Sequence, residues 1–414
     1  MSMSLSTKFS IGLCLLLLSS LQWANAATTD VKHSDSVTMN GLMHALYKQH
    51  PASQLDLVYQ QQATANTNLA NTLFAEPTRA SVTHFNDVIG SSDGFQEWEA
   101  GVEMALWLPG QKQQQLALSE HLLAELPAQR QQVLLEISAN IRNLVWDVAI
   151  AKVAADHAYH AWQLAQKLEQ HVNIRVQAGD LAGTDGLLAK THTLDMHSLY
   201  MEENASLEHH LYQYQLITGK QALPTHIDET LSDKKAIDQT HPMLAIYDQR
   251  IVTLHTKQSL ASYQEAAHPN VSVGMKRERG EGNESFNHSL GLGVSFAFDD
   301  TVYRQPAIAN AARDIADVQI ARQRLALALN STLASSLQTL ESKRQQLSLN
   351  EQHIETTQRY LVLQKRAFEL GELALVTFLN SQNLAVKSMN RKQRLEIEIK
   401  RSIANVNQAL GIRF

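Results

Sequence analysis

Two stretches of this 414-residue chain alternate between apolar and polar positions. In the first, 96–108, an apolar residue occupies every second position, and in the second, 289–298, leucine, valine and phenylalanine do the same. Period-two alternation places the two sets of side chains on opposite faces of a β-strand. The polar face is predicted to carry five oxygen-bearing side chains: Glu97, Glu99, Glu103, Ser289 and Ser295.

A long helical run follows each alternating stretch. The second run, 307–370, holds 64 residues without glycine or proline, and the first, from about 111 to 178, holds only Pro127. At ~1.5 Å per residue, 64 residues make a rod of roughly 95 Å, about three times the thickness of a bilayer core. Pro127 predicts a kink or a helix restart, because proline removes one hydrogen bond and clashes with the preceding turn.

The two halves of the chain repeat the same order of elements, about 192 residues apart. Repeat 1 is predicted at 27–219, with a helix, a β-hairpin at about 78–108, a long helix at about 111–178 and a return helix at about 187–218. Repeat 2 is predicted at 242–414, with a helix, a β-hairpin at about 270–298, a long helix at about 303–370 and a return helix at about 372–410. A polar linker, 220–241, joins the repeats.

The N-terminus has the pattern of a secretory signal peptide. A lysine precedes an apolar core at 11–21, and an A-x-A site predicts cleavage between Ala26 and Ala27, which makes 1–26 the signal peptide. Cys14 is the only cysteine, so the mature chain is predicted to contain none. No later stretch reaches the ~18 consecutive apolar residues of a membrane helix. An exported chain of this kind is predicted to be soluble in the periplasm or to cross a membrane as a β-barrel.

Each predicted hairpin has an apolar face that requires a partner. An isolated hairpin is marginal in water, and its open edges cannot sit in lipid. Closing the hairpins of several copies into a barrel removes both problems, with apolar residues toward lipid and Glu, Ser and Gly toward the lumen. The alternative is a small antiparallel sheet on a helical bundle in a soluble periplasmic protein. It explains the alternation equally well, but not why both hairpins lead into such long helices.

Composition excludes several functional classes. The formal net charge of −6 gives no reason to expect nucleic-acid binding. There is no catalytic constellation, no phosphate-binding glycine loop and no Cys/His metal spacing, so we predict a non-enzyme without a cofactor. The 18 histidines are scattered. The spacing of His157 and His160 suits a helical metal site, but unrelated surface histidines are the simpler interpretation.

The order of elements and two matched turns together resemble the TolC family of outer-membrane efflux proteins. The turns follow the pattern R-x(3-4)-G-[DE]-L-x(3)-[DT]-x(2)-L at 175–188 and 366–379, and the resemblance covers nearly all of the mature chain. It implies a mainly α-helical homotrimer in which each protomer gives four strands to a 12-stranded barrel in the outer membrane of a Gram-negative bacterium. The helices would form a long hollow cylinder crossing the periplasm. The duct would be passive and would meet a periplasmic membrane-fusion adaptor and an inner-membrane RND pump.

The resemblance also assigns roles to residues in the turns. The residues expected to contact the adaptor are Gly179, Asp180, Leu181, Asp185, Gly371, Glu372 and Leu373, of which the two leucines and their acidic neighbours are expected to be exposed. Some family members close the periplasmic mouth with paired aspartates. The matching positions here are Thr377 and Asn380, so closure by packing or hydrogen bonding is expected instead.

The length of the chain and its segment 368–373 are similar to the heavy-metal subgroup of the family, the CzcC, CusC and HelC type. That similarity implies Co/Zn/Cd or Cu/Ag cations as cargo, and tripled rings of Glu97, Glu99 and Glu103 would favour cations in a narrow pore. Drug efflux and type I protein secretion are the alternatives within the family. A soluble periplasmic coiled-coil adaptor or scaffold is the alternative from another class, although adaptors usually contain one helical hairpin rather than two.

Overall fold

The computed structural model describes residues 30–264, 266–298 and 301–414. The predicted signal peptide 1–26, with its predicted cleavage site between Ala26 and Ala27, therefore lies outside the described residues. The helices are α1 (Met39–Gln49), α2 (Leu55–Ala70), α3 (Gln111–Gln177), α4 (Gly183–Thr218), α5 (Pro242–Gln264), α6 (Thr301–Glu369) and α7 (Leu375–Ala409). The strands are β1 (His33–Ser34), β2 (Arg79–Asn86), β3 (Gln96–Ala105), β4 (Leu223–Pro224), β5 (Asn270–Arg279) and β6 (Asn287–Ser295).

Helices α3 and α6 have 67 and 69 residues and turn back into α4 and α7. Both turns use a glycine with positive φ, 83° at Gly179 and 76° at Gly371. The next amide closes each helix end, with Asp180 donating to the Arg175 carbonyl and Glu372 to the Ala367 carbonyl, both at 2.9 Å. This is the hydrogen bond of a Schellman motif, which a glycine in the left-handed region permits.

Prolines lie inside both long helices. Helix α3 continues through Pro127, so the predicted restart does not occur. Helix α6 is described from Thr301 and includes Pro306, so it begins before the proline-free run that defined it in the sequence. Tertiary packing stabilises helices of this length more than local propensity does, and α3 packs along α4, α5 and α7.

The four long helices form a layer in the order α4, α3, α7, α6. A second group of short elements packs on α3 beside the linker. Strands β1 and β4 pair in parallel, and α1 contributes Leu42 and Met43 to a core with Ile141 and Val145 of α3. The sequence pattern did not predict α1, β1 or β4, because they are short and are held by contacts with distant parts of the chain.

A buried arginine attaches the linker to the helix layer. Arg142 of α3 is 1% exposed and donates two hydrogen bonds of 2.7 Å to the Glu229 carboxylate of the linker. The same guanidinium donates to the Gln408 side chain of α7, and Asn407 donates to Glu229 at 3.0 Å. A buried charge has to be paired and hydrogen-bonded, so this network holds the linker in one position on α3 and α7.

The two hairpins join into one antiparallel sheet with the order β2-β3-β5-β6. The join between β3 and β5 places Gly101 opposite Gly274. A Cβ on Gly274 would lie 3.1 Å from the Ala100 carbonyl oxygen, so a side chain there would crowd the neighbouring strand. Strands β2 and β6 form the two edges. Within the described ranges, no helix has a segment long and apolar enough to cross a membrane.

Candidate functional site

The four-stranded sheet has one apolar face and one polar face. The strand register places Ala100, Met275 and Leu290 side by side, and the side chains of Leu290 and Leu292 are 76% and 78% exposed. The exposed large side chains of the apolar face are Val82, Trp98, Val102, Val273, Met275, Leu290, Leu292 and Val294. A contiguous apolar surface of this kind marks a contact with lipid or with another protein.

The polar face carries every predicted pore-lining residue. Glu97, Glu99 and Glu103 are opposite Glu278, Lys276 and Ser272 in the register, so all six share this face. Ser289 is opposite Lys276, and Ser295 is opposite Asn270, which places both serines on the same face. The predicted alternation is therefore present, whereas lining of a pore by these residues stays a prediction.

Lys276 is the residue of the polar face that sequence reasoning missed. Its Nζ atom lies 2.9 Å from Glu97 Oε2 and 2.7 Å from Glu278 Oε2, so it bridges two carboxylates. The hairpin at about 270–298 is predicted without assigning faces to its first strand. The period-two rule applied to β5 would have placed Lys276 beside the glutamates. Lys276 and Glu278 add opposite charges to the face, so its net charge stays that of the three glutamates, but Glu97 is paired with a lysine and Glu99 and Glu103 are not.

The two helical turns of the chain pack against each other. A cluster of apolar side chains, here called the tip cluster, combines Val172 and Ala189 of the α3–α4 turn with four residues of the α6–α7 turn: Phe368, Leu375, Phe378 and Leu379. The rings of Phe368 and Phe378 stack with centroids 5.0 Å apart. Arg175 donates to the Phe368 carbonyl at 3.2 Å and lies 5.2 Å from the centroid of its ring.

The tip cluster reduces the exposure of two of the residues that were expected to contact the adaptor. Leu181 and Leu373 are half-buried against the cluster, so the expectation that they are exposed is wrong. The reason is packing between the turns, which neither turn reveals alone. Gly179, Asp180, Gly371 and Glu372 are exposed, and Asp185 is half-buried in the first turn of α4. Their contact with an adaptor stays a prediction.

The predicted gate residues lie near the start of α7. Thr377 is half-buried and Asn380 is exposed, one helical turn apart on the same side of the helix. The neighbouring Phe378 and Leu379 are buried in the tip cluster. The two polar residues thus face away from the tip cluster, and their role at a periplasmic mouth stays a prediction.

The histidines form no recognisable metal centre in the ranges that the structure describes. No group of three or more His, Cys, Asp or Glu side chains there is arranged to hold a metal ion. The rings of His209 and His210 lie 5.6 Å apart in an edge-to-face arrangement. His157 is half-buried, and desolvation by burial holds its pKa below the usual range, although Asp156 opposes the shift.

Comparison with solved structures identifies the class of fold. The chain matches the Campylobacter jejuni CmeC outer membrane channel with a TM-score of 0.66 and 13% identity, covering 99% of this chain and 94% of that one. It matches the Vibrio cholerae outer membrane protein VceC with a TM-score of 0.68 and 13% identity, covering 91% of this chain and 96% of that one. The chain thus has the fold of outer-membrane channels with a long helical part.

The chain is as similar to CusC as it is to VceC. The CusC structures concern conformational changes that accompany folding and transmembrane channel formation. The TM-score is 0.68 at 12% identity, covering 94% of this chain and 96% of CusC. The similarity to CusC is therefore no greater than that to VceC, and the comparisons do not favour one subgroup. No protein-family model matches the sequence, and the search of curated proteins finds no relative.

Proposed function

We propose that this protein is the outer-membrane exit duct of a tripartite efflux system. The observation that carries the proposal is the two-faced sheet, whose strands connect to α2, α3, α5 and α6 at the end of the long helices opposite the turns. Its apolar face is exposed, its polar face carries charges, and its edges β2 and β6 are open. Only a closed barrel allows such strands to contact lipid while every backbone group stays hydrogen-bonded.

Closure of the barrel requires further copies of the chain, and we propose a ring of three copies in total. Strand β2 runs antiparallel to β6 across the sheet, so β6 of one copy can pair with β2 of the next in the same antiparallel sense. Three copies of four strands would give a 12-stranded barrel. In the same trimer, α6 of one copy would pack on α4 of the next. Both edge helices carry exposed apolar side chains there, among them Leu194, Met201 and Leu363.

The partners of the proposed duct lie at its periplasmic end. The exposed Asp180 and Glu372, with Gly179 and Gly371, are proposed to contact the membrane-fusion adaptor, which in turn engages an inner-membrane RND pump. The chain offers no catalytic constellation, so the pump is proposed to supply the energy.

Membrane fractionation and planar-bilayer recording test the duct. We expect the protein in the outer-membrane fraction, with mobility on SDS gels that changes on heating, and we expect stepwise conductance from the purified trimer. Release with the periplasmic fraction and no conductance would favour the alternative of a soluble coiled-coil scaffold.

The cargo is proposed to be heavy-metal cations of the Co/Zn/Cd or Cu/Ag type. Glu97, Glu99 and Glu103 on the polar face and the segment 368–373 support this proposal, while Lys276 opposes it. Growth of a deletion strain on Zn, Cd, Co, Ni, Cu and Ag salts, beside common drugs and detergents, tests it. Sensitivity confined to one or two metals is expected, and broad sensitivity to hydrophobic drugs would contradict the metal cargo.

A further inference from the structure

A groove of about 700 Å³ lies between α3 and α7, and side chains of α4 and α6 also reach it. It is called here the α3–α7 groove. Its floor is apolar and comes from Ile150, Ala154, Ala158, Leu199, Val386 and Leu395. The α3 part of the floor, from Ile150 to Ala161, extends over roughly 16 Å at ~1.5 Å per residue. This shape suits an elongated apolar group.

The walls of the groove carry more positive than negative charge. Four cationic side chains line it, Lys343, Lys387, Arg391 and Arg394, against the carboxylates Glu203 and Glu398. Glu398 accepts from Arg394 at 2.8 Å and from Lys343, so two of the cations share one carboxylate. Arg391 donates to the neutral Gln346 amide at 3.3 Å. Lys387 is exposed at the rim.

A buried nitrogen in the groove has no hydrogen-bond partner. The Nε2 atom of His157 is inaccessible to solvent and bonds to none of the residues that the structure describes. An unpaired buried polar atom is unfavourable by about 1–3 kcal/mol, so such atoms usually have a function or a missing partner. A molecule lying in the open groove does not reach this enclosed nitrogen, so its missing partner does not bear on what the groove binds.

The groove lies on the side of the helix layer opposite the linker. Lys400 of α7 bonds to Asp228 of the linker at 2.7 Å. It follows Glu398, which lines the groove, by two residues, and this separation is about 200° around an α-helix. Side chains of all four long helices line the groove on this side. If the linker lies outside the proposed cylinder of three copies, the groove lines its interior.

We propose that the α3–α7 groove binds an anionic amphiphile, with an acidic head at Lys387 and Arg391 and an apolar tail on the α3 floor. The binding stands on the groove alone, whereas its place along an exit path rests on the proposed function. A cation would meet an excess of like charge here, so the ligand of the groove is distinct from the proposed metal cargo. The lining charges would also be tripled in the trimer, which strengthens attraction for an anion in a confined space.

Titration calorimetry with octanesulfonate tests the binding on the purified full-length protein in an uncharged detergent. The sulfonate head keeps its charge, and a blank titration into the detergent removes partitioning into micelles. We expect saturable binding to the wild type. Lys387→Glu and Arg391→Glu should each weaken it by about tenfold, a change of about 1.4 kcal/mol. Equal affinity of wild type and both variants would overturn the proposal.

Two matched controls separate charge from hydrophobic contact. Lys167 is an exposed lysine of α3 that does not line the groove, and Lys167→Glu should leave the affinity unchanged. Octyltrimethylammonium has the same tail with a cationic head, and it should bind the wild type at least about tenfold more weakly. A loss of binding in Lys167→Glu equal to that in Lys387→Glu, or equal binding of both heads, would also overturn the proposal.

Single-channel recording distinguishes failure of this inference from failure of the proposed function. Octanesulfonate should block the current of the wild type and should block Lys387→Glu less. A protein that conducts but does not bind octanesulfonate would contradict the proposed groove ligand and remain consistent with the duct. A protein that binds octanesulfonate but conducts under no condition would support the groove ligand and contradict the duct.

Discussion

Lys276 changes which carboxylates on the polar face of the sheet are free. It lies on the polar face of the sheet and bridges Glu97 and Glu278. Exposed ion pairs contribute little to stability, but they neutralise the field that a passing ion would meet. The residue therefore belongs to any account of ion preference, although only the glutamates stood out in the sequence.

Neutralising Lys276 should raise cation preference. Lys276→Gln frees two carboxylates in each protomer, so the reversal potential of the channel in a salt gradient should move toward that of the cation. Replacing Glu97, Glu99 and Glu103 together by glutamine should move it the other way. An unchanged reversal potential in both variants would mean that this face does not line the path of ions.

Glu398 makes the stability of the helical layer depend on pH. Burial alone would raise the pKa of this carboxyl, but hydrogen bonds from Lys343 and Arg394 outweigh it and hold the pKa below the usual range. A carboxyl with a lowered pKa in the folded state contributes stability that is present above its unfolded pKa and is lost as pH falls through the folded value.

Glu398→Gln should therefore lower the melting temperature near neutral pH, and the difference from wild type should shrink as pH falls through the folded pKa of Glu398, where the wild-type carboxyl also becomes protonated. Thermal melts by circular dichroism over a series of falling pH values measure the difference. Lys343→Gln combined with Glu398→Gln is the control for an unpaired lysine. A difference between wild type and Glu398→Gln that persists unchanged at low pH would show that packing, not charge, is responsible.

At the scale of elements, the two helical turns of one chain behave as a single unit. Phe368 is 7% exposed and joins both turns through its ring and its carbonyl group. Truncating a buried phenylalanine to alanine typically removes about 3–5 kcal/mol of stability. Because the tip cluster lies at the far end of the helices, most of this loss should appear as local opening.

Phe368→Ala should thus speed amide hydrogen exchange and proteolysis in 172–189 and 366–379 without changing exchange at the sheet. Leu349→Ala, at an exposed position of the same helix, is the matched control. Faster exchange throughout the chain would show that the turns are not an independently opening unit.

The beginning of α7 carries a separate prediction about closure. Thr377 and Asn380 are polar and uncharged, so replacing both by alanine removes two side chains that can hydrogen-bond but no charge. Leak conductance should change only mildly. A large rise in open-pore conductance would mean that these two side chains hold the periplasmic mouth closed.

The predictability of each element depends on where its stabilising contacts come from. Strand β3 covers 96–105 within the predicted stretch 96–108, because alternation is a local property of the sequence. In contrast, α1, β1 and β4 are stabilised by contacts with α3 and the linker, and no local sequence pattern predicts them. The half-buried positions of Leu181 and Leu373 depend on packing between two turns about 192 residues apart, so neither turn alone reveals them.

At the scale of the whole molecule, the elements proposed to contact neighbouring copies all lie at the edges of the sheet and of the helix layer. Strands β2 and β6 and helices α4 and α6 are the edges of the sheet and of the helix layer. The apolar face of the sheet is also uncovered in one chain. The isolated protomer is therefore expected to be a poorly soluble intermediate, and its stability should be inseparable from assembly.

The open edges of the sheet have a genetic consequence. Each seam of the proposed ring joins the β6 edge of one copy to the β2 edge of the next, so a single defective edge spoils a seam in any ring that includes it. Consider a cell that makes intact and edge-defective chains in equal amounts. Only roughly one in eight of its three-chain rings would contain intact chains alone. Edge mutations should therefore be dominant over the wild-type gene, whereas a mutation that prevents export of the chain should be recessive.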